Sequence, residues 1–262
     1  MVSTIEVHRS SLSQTLPKIE GENIGNHPIV VDLFKGFANI RPRMHKNPSK
    51  WSVDQVLNEM KSWGPNKQLS LKIISKKLVM LLALSSASRC SELAYLDINY
   101  MFQLPNGIKF NLNVHKKNRN SAILPGVVFF PSNPEDKILC PVDCLKEYID
   151  RTKLMRKNDS RLIRGIIKPH DKITPPTISR WLTKIIAMSG GPQLNPKTRI
   201  GHSVRGAATS KGRDSGLSTA DILKAGEWKS ESVFRKHYYQ QNFTPAFGKS
   251  VLSQGVEQVN KK

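Results

Sequence analysis

The sequence is poor in cysteine and has no long apolar run. Its 262 residues include only three cysteines, too few for the disulfide framework of a small secreted domain. The longest apolar run, at 78–84, is far shorter than the roughly 20 residues that a membrane-spanning helix needs. The N-terminus lacks the charged-then-apolar layout of a signal peptide. We therefore expect an intracellular, reduced protein with no membrane partner, in which 78–84 is a core helix.

Acidic side chains are also scarce. There are 20 Asp and Glu against 41 Lys and Arg, which gives a formal charge of +21. The basic residues are not confined to a tail: clusters at 41–46, 72–77, 116–119, 151–168 and 229–236 alternate with apolar segments. Distributed basic faces on a folded domain indicate a polyanionic partner, most often nucleic acid. A basic protein without chemistry is the alternative at this point.

Patterns that hold metals or cofactors are missing as well. Cys140 and Cys144 are four residues apart, which is not the usual CxxC spacing of zinc ligands, and no second ligand pair lies nearby. There is no glycine-rich phosphate loop, no carboxylate cluster and no HExxH motif. We expect neither a metal nor a cofactor, and no small-molecule substrate.

Composition divides the chain into four parts. Residues 1–25 are polar and without period, so we expect a loose N-terminal segment, and 244–262 is expected to be a similar tail. Residues 26–48 contain apolar residues at helical spacing around 30–37, followed by a Pro- and Arg-rich linker. The main domain is expected at 49–243.

Within the main domain, periodicity predicts a mainly α fold with a small antiparallel sheet, an α+β class. Ser52 and Ser70 are predicted to cap the first two helices, and the second of these has apolar residues on all sides. Alternation at 108–114 and a β-rich stretch at 122–130 predict a hairpin with a cationic turn. Further helices are predicted at 141–152, 177–188, 205–211, 219–225 and 231–239, and a third strand at 162–167.

Several segments carry residues suited to phosphate chemistry, although each is weak alone. Arg89 follows the apolar helix, where it could simply be a surface charge or a helix-dipole partner; Glu92, three residues later, could hold its guanidinium. His202 and Arg205 are three apart at a predicted helix start, on one face, where free N–H groups favour an anion. Trp228 is followed by the adjacent tyrosines 238 and 239. An aromatic cluster of this kind belongs to a hydrophobic core more often than to a catalytic site.

Taken together and in this order, these segments resemble the tyrosine recombinase (phage integrase) family. The matching segments are Ser-Arg-Cys-Ser-Glu-Leu at 88–93, the basic turn at 115–119, His-Ser-Val-Arg at 202–205, Gly-Glu-Trp-Lys-Ser-Glu-Ser-Val-Phe at 226–234, and the tyrosine at 238. The resemblance runs from about residue 27 to residue 245. Within the family, the chain looks most similar to recombinases of eukaryotic mobile elements, the DIRS-type retroelements and cryptons, which implies a nuclear protein.

The resemblance implies an enzyme that cuts and rejoins double-stranded DNA through a 3′-phosphotyrosyl link, for recombination or integration of a mobile element. It implies a homo-oligomer, a tetrameric synapse on DNA. Two arginines would each donate two hydrogen bonds to the scissile phosphate, and an indole N–H would bind another of its oxygens. A tyrosine would attack the phosphorus after a histidine accepts its proton, and a lysine would protonate the leaving oxygen. The two arginines are Arg89 and Arg205, the indole is that of Trp228 and the attacking tyrosine is Tyr238. The histidine is His202 and the lysine is Lys116.

The sequence departs from the family pattern in ways that leave some roles open. Gly206 stands where many members have a histidine, and Glu227 is an extra residue before Trp228. The commoner register places the nucleophile on His237, so Tyr239 remains an alternative to Tyr238, as Lys117 does to Lys116. Only the last helix of the family's upstream core-binding domain is expected, at 26–48.

Three other functions fit the same sequence. The chain could be an inactive DNA-binding relic of a mobile element, or a type IB topoisomerase, which shares the chemistry but needs a self-contained clamp. A non-enzymatic basic module that binds RNA or DNA is the third alternative, and it would give no tyrosine-dependent product.

Overall fold

A computed structural model describes residues 2–41, 51–112, 126–156, 159–191, 200–226 and 231; for 2, 3 and 200–202 it gives the backbone alone. The chain divides into two compact units, 1–48 and 49–262. No helix among the described residues is long and apolar enough to cross a membrane.

The first unit is a pair of helices, α1 (Val2–Thr15) and α2 (Pro28–Ile40). The helix expected around 30–37 is therefore confirmed, whereas the expectation of a loose segment at 1–25 is wrong. Polar contacts hold α1: Arg9 Nε donates to the carbonyl of Gly25 at 2.8 Å, and Ser13 Oγ accepts from the Gly25 N–H at 3.2 Å. Such contacts leave no apolar period in the sequence, which is why the helix was missed.

The second unit consists of seven helices and one sheet in the described residues. Its helices are α3 (Val53–Ser62), α4 (Leu71–Ser86), α5 (Cys90–Ala94), α6 (Pro141–Thr152), α7 (Pro175–Met188), α8 (Ile200–Asp214) and α9 (Thr219–Ala225). Its strands are β1 (Met101–Leu104), β2 (Gly107–Leu112) and β3 (Gly126–Pro131), antiparallel in the order β1-β2-β3. The predicted mainly α class with a small antiparallel sheet is confirmed.

Helix α4 is the centre of this unit. Its N-cap Ser70 accepts from the N–H of Ile73, and α3 begins in the same way at Ser52, as the sequence predicted. Helices α6, α7 and α8 and strand β3 all pack against α4, and the residues from Ile74 to Ala83 are buried without interruption. The expectation that this helix is surrounded is confirmed.

The sheet has one face in the core. Ile108, Phe110 and Leu112 of β2 are buried, and the ring of Phe110 meets that of Phe130 edge-on with centroids 5.8 Å apart. The predicted hairpin is thus confirmed for β2 and β3, while its turn, residues 113–125 with Lys116 and Lys117, lies outside the described residues.

One secondary-structure prediction is wrong, and one helix was not predicted. The third strand is β1, not 162–167, where only isolated bridges join Asp97 to Arg161 and Arg164 to Lys172. Leu162 and Ile163 enter the core from irregular chain, so their apolar character was misread as strand. Helix α5 was not predicted because five residues are too short to show a period. Of the helix predicted at 231–239, only Glu231 is described.

The two cysteines considered as zinc ligands have structural roles instead. Cys140 is the N-cap of α6, where its Sγ accepts from the N–H of Asp143 at 3.4 Å. Burial raises the pKa of the Cys144 thiol to about 12, so it is protonated at neutral pH. In the described ranges no three metal-ligating side chains lie together.

The two faces of the sheet differ in what they contribute to stability. We expect Phe110→Ala to lower the free energy of unfolding by about 3–5 kcal/mol, because it opens a cavity in the core. The matched control is Phe102→Ala on the outer face, where the ring is 44% exposed and lies under the Lys109 ammonium at 5.0 Å. It should cost about 1 kcal/mol or less. Urea unfolding of both variants measures the difference, and equal losses would contradict the assignment of faces.

Candidate active site

The end of α4 makes a sharp, polar turn. Ala87 has φ +48°, a left-handed conformation that costs an alanine roughly 1–2 kcal/mol. The hydroxyls of Ser86 and Ser88 on either side are buried and 2.7 Å apart, and Ser86 also donates to the carbonyl of Leu82 at 2.7 Å. These bonds end the helix inside the protein and direct the chain straight into α5.

Arg89 is the N-cap of α5, and Glu92 holds it there. One carboxylate oxygen of Glu92 accepts from the backbone N–H of Arg89 at 2.7 Å, and the other lies 2.5 Å from its Nη1. The side chain of Arg89 is 40% exposed, while that of Glu92 is only 13% exposed. The role expected for Glu92 is therefore confirmed: its partly buried carboxylate holds a guanidinium that reaches solvent.

Arg205 lies behind this turn, on α8. It is 2% exposed, its Nη1 donates to the carbonyl of Ala87 at 2.7 Å, and its Nη2 donates to the carbonyl of Gly226 at the end of α9. These bonds use two of the five N–H donors of the guanidinium, one on each terminal nitrogen. They fix the plane of the guanidinium against two pieces of backbone that are far apart in sequence.

Helix α8 is itself anchored at both ends. The indole N–H of Trp51 donates to Ser203 Oγ at 2.8 Å near its start, and Lys211 forms an ion pair with Asp54 of α3 near its end. Small residues at 206–208 let α8 lie close to α4 and α7. His202 and Arg205 are both in this helix, three residues apart and therefore on one side of it, as predicted.

A cavity of about 460 Å³ opens beside Arg205. Its polar wall is the α4–α5 turn with Ser86, Ser88 and Glu92, together with Asp221 and Lys224 of α9. Its apolar wall is formed by Val127, Val128, Phe129 and Pro131 of β3. The cavity therefore lies where the α4–α5 turn, α8, α9 and the sheet meet.

The structure describes the side chains of two of the six predicted site residues, Arg89 and Arg205. Arg205 lines the cavity and donates to the carbonyl of Ala87, two residues before Arg89, whereas Arg89 is not among the residues that line the cavity. Lys116, Trp228 and Tyr238 and the side chain of His202 lie outside the described residues. Their assignments, and those of Lys117 and Tyr239, stay predictions.

Two other nucleophiles among the described residues are unsuited to attack. Burial raises the pKa of the Cys90 thiol, next to Arg89, to about 11, so at neutral pH little thiolate is present. Burial also raises the pKa of Tyr148, whose Oη accepts from the N–H of Arg164 at 2.8 Å in the core. Neither side chain competes with the tyrosine predicted at 238.

Sequence reasoning missed the serines and the bonds from Arg205 to backbone carbonyls. The run Ser-Ser-Ala-Ser at 85–88, directly after an apolar helix, is a signal for a polar helix end. The carbonyl bonds had no such signal, because Arg205 is 118 residues from Ala87 and 21 from Gly226. Long-range partners of this kind leave no local pattern.

Several solved structures share this architecture, although no family model and no curated protein sequence matches the chain. The XerA recombinase aligns with a TM-score of 0.54 at 15% identity, over 96% of this chain and 82% of that one. XerH bound to its difH substrate gives 0.55 at 10% identity, over 96% and 70%. The Tn1549 transposon integrase in complex with circular intermediate DNA gives 0.52 at 14% identity, over 95% and 78%. The chain therefore has the fold of the tyrosine recombinase catalytic domain.

Proposed function

We propose that this protein cleaves and rejoins double-stranded DNA through a covalent 3′-phosphotyrosyl intermediate. The observation that carries the proposal is the bond from Arg205, beside a cavity, to the carbonyl of Ala87 two residues before Arg89, in a fold shared with site-specific recombinases. Phosphodiester cleavage by a side chain needs charge neutralisation on the non-bridging oxygens, and two guanidinium groups acting on one phosphate would meet that need.

The two arginines contribute differently. Arg205 is rigid because backbone carbonyls fix its guanidinium, so it costs little reorganisation when charge develops on the phosphate. Arg89 is more exposed and is aimed by Glu92, whose carboxylate also offsets part of its charge. Arginine is the better residue for both positions because a planar fork contacts two phosphate oxygens at once, which an ammonium does not.

The remaining steps follow from the family resemblance. Tyr238 Oη attacks the phosphorus and the 5′-oxygen leaves, so the phosphate is transferred to the tyrosine and the bond is later reformed by a 5′-hydroxyl. Lys116 gives a proton to the leaving oxygen, His202 accepts the tyrosyl proton, and the indole N–H of Trp228 binds a phosphate oxygen. Because the phosphotyrosine retains the energy of the bond, rejoining needs no ATP.

The partner we propose is duplex DNA, bound by a homo-oligomer. The formal charge of +21 suits a polyanion. Among structures with this fold, XerH is bound to difH, and a λ integrase dimer is bound to a COC′ core site with a TM-score of 0.50 at 13% identity. A tetrameric synapse, integration of a mobile element, a DIRS- or crypton-type origin and a nuclear location remain our predictions for this chain.

Two alternatives share the fold or the charge. An inactive relic would bind DNA without forming an adduct, and the intact Arg89–Glu92 and Arg205 contacts favour activity over decay. A type IB topoisomerase would form the adduct but relax supercoiled DNA instead of exchanging strands. Assays of adduct formation and of relaxation separate the three.

Glu92→Gln tests the support of Arg89. The substitution keeps the shape of the side chain but removes its charge, so we expect the single-turnover cleavage rate to fall about tenfold, since the guanidinium is no longer fixed. DNA affinity should change little. The matched control is Glu147→Gln, which breaks a similar ion pair with Arg151, 2.6 Å long, on α6. Equal cleavage rates in the two variants would contradict the role of Glu92.

The nucleophile is tested on a nicked suicide duplex, which traps the covalent adduct. Tyr238→Phe should abolish the adduct, whereas Tyr239→Phe should leave at least part of it, because neighbouring residues on a helix point about 100° apart and only one can face the phosphate. The reverse pattern would transfer the role to Tyr239. An adduct that survives the double substitution would refute the phosphotyrosine mechanism.

Chelation of divalent metal ions tests whether the arginines, rather than a metal, neutralise the charge of the phosphate. If guanidinium groups neutralise the phosphate, cleavage should proceed at the same rate in excess EDTA as in Mg²⁺. Loss of cleavage in EDTA that Mg²⁺ restores is the result expected of a metal-dependent nuclease, and it would remove Arg89 and Arg205 from the centre of the mechanism.

A further inference from the structure

The outer face of the sheet carries exposed apolar side chains. Strand β1 contributes Phe102 and Leu104, and β3 contributes Val127 and Phe129, each between 36% and 47% exposed. An antiparallel sheet with one face in the core usually carries polar side chains on the other. A contiguous apolar patch in this place therefore indicates contact with another molecule.

The register of the strands aligns two of the rings with a lysine. Phe102 pairs with Lys109, and Lys109 pairs with Phe129, so the three side chains form one row across the sheet, on the same face. The Lys109 ammonium lies 5.0 Å from the centre of the Phe102 ring, which is the distance of a cation–π contact. We call these three residues the aromatic row.

The ring of Phe129 is held in place by the glycine diagonally opposite on β2. A methyl group at Gly107 would lie 2.6 Å from Cζ of Phe129, so the far end of the ring occupies the space that a side chain at 107 would take. The ring is thereby fixed against β2, while 36% of Phe129 stays exposed. A ring that is already ordered loses little conformational entropy when a ligand binds to it.

The same ring belongs to the wall of the cavity beside Arg205. Val127, Phe129 and Pro131 lie on its apolar side, and Arg205 and Lys224 are among its polar residues. A ligand that enters the cavity therefore meets both cations and an aromatic ring. Single-stranded nucleic acid binds to such a combination, because the cations hold its backbone and its bases stack on the ring.

We propose that the aromatic row binds unpaired nucleobases of the DNA strand whose phosphate lies in the cavity. Phe129 is the stacking surface, and Lys109, held over Phe102, contacts the backbone of the same strand. In a duplex both faces of a base are covered by its neighbours, so only a base that has left the helix can stack on a side chain. This inference rests on the proposed function, because it takes cleaved DNA as the ligand.

The aromatic row then has a defined task in the proposed reaction. Cleavage leaves a strand that ends in a 5′-hydroxyl, and this strand can join another end only after its first bases have unpaired. Stacking on Phe129 stabilises those bases outside the helix, next to the cavity in which the phosphate is exchanged. Phe129 is a positioning residue, since it holds the bases and does not act on the phosphorus.

The experiment measures the affinity of the full chain for two DNA substrates of equal length, a fully paired duplex and one with a short unpaired stretch. Phe129→Leu and Phe102→Leu keep an apolar side chain on the sheet but remove a ring, whereas Phe129→Tyr keeps a ring. The matched control is Tyr95→Leu. Tyr95 is 40% exposed, and the Arg161 guanidinium lies 4.5 Å from its ring centre, but it is not among the residues that line the cavity.

We expect the unaltered chain to bind the substrate with unpaired bases about tenfold more tightly, as one base stacked on one aromatic ring would give. Phe129→Leu should reduce this ratio to about one, because no ring is left to stack on. Phe102→Leu should lower it about threefold, because Lys109 is no longer held. Phe129→Tyr and Tyr95→Leu should leave it unchanged. Equal affinity of all variants for the fully paired duplex shows that each of them is folded.

The outcomes separate this proposal from the proposed function. If the unaltered chain forms the covalent adduct but binds both substrates equally, or if Phe129→Leu keeps the full preference, the aromatic row is not a base site and the proposed function stands. If Phe129→Leu instead changes the oligomeric state and leaves the preference intact, the patch is a protein interface and the proposal is wrong. A preference that depends on Phe129 in a chain that forms no adduct would support the base site and refute the proposed function.

Discussion

The guanidinium of Arg205 donates to the carbonyl oxygens of Ala87 and Gly226, and the candidate site depends on these two bonds. The bond to Ala87 offsets part of the free-energy cost of the left-handed backbone conformation at that residue. This conformation directs the chain into α5, which begins after its N-cap Arg89. The other bond ties the end of α9 to the same point, two residues before Trp228 in the sequence. A single buried cation thus joins three segments that are distant along the chain, and the arrangement of the candidate site and its local stability have the same origin.

Much of this arrangement could be predicted from residues. The caps at Ser52 and Ser70, the apolar periodicity of α4 and the alternation of β2 are local signals, and the structure agrees with each of them. The pairing of Arg89 with Glu92 was also predictable, because residues three apart on a helix lie on the same face and can form an ion pair.

What could not be predicted depends on contacts between distant segments or on polar contacts without a period. Helix α1 is held by Arg9 and Ser13 rather than by an apolar stripe, so its sequence resembled a loose segment. The buried pair Leu162 and Ile163 lies in irregular chain, where an apolar run alone suggested a strand.

The central claim is that Arg89 and Arg205 act on one phosphate. A double-mutant cycle on single-turnover cleavage of a nicked duplex, with Arg89→Lys, Arg205→Lys and both together, tests it most directly. Groups that stabilise the same transition state are strongly non-additive, so the double variant should cleave scarcely more slowly than the slower single variant. Rate losses that simply multiply, as expected for two independent sites, would contradict the account.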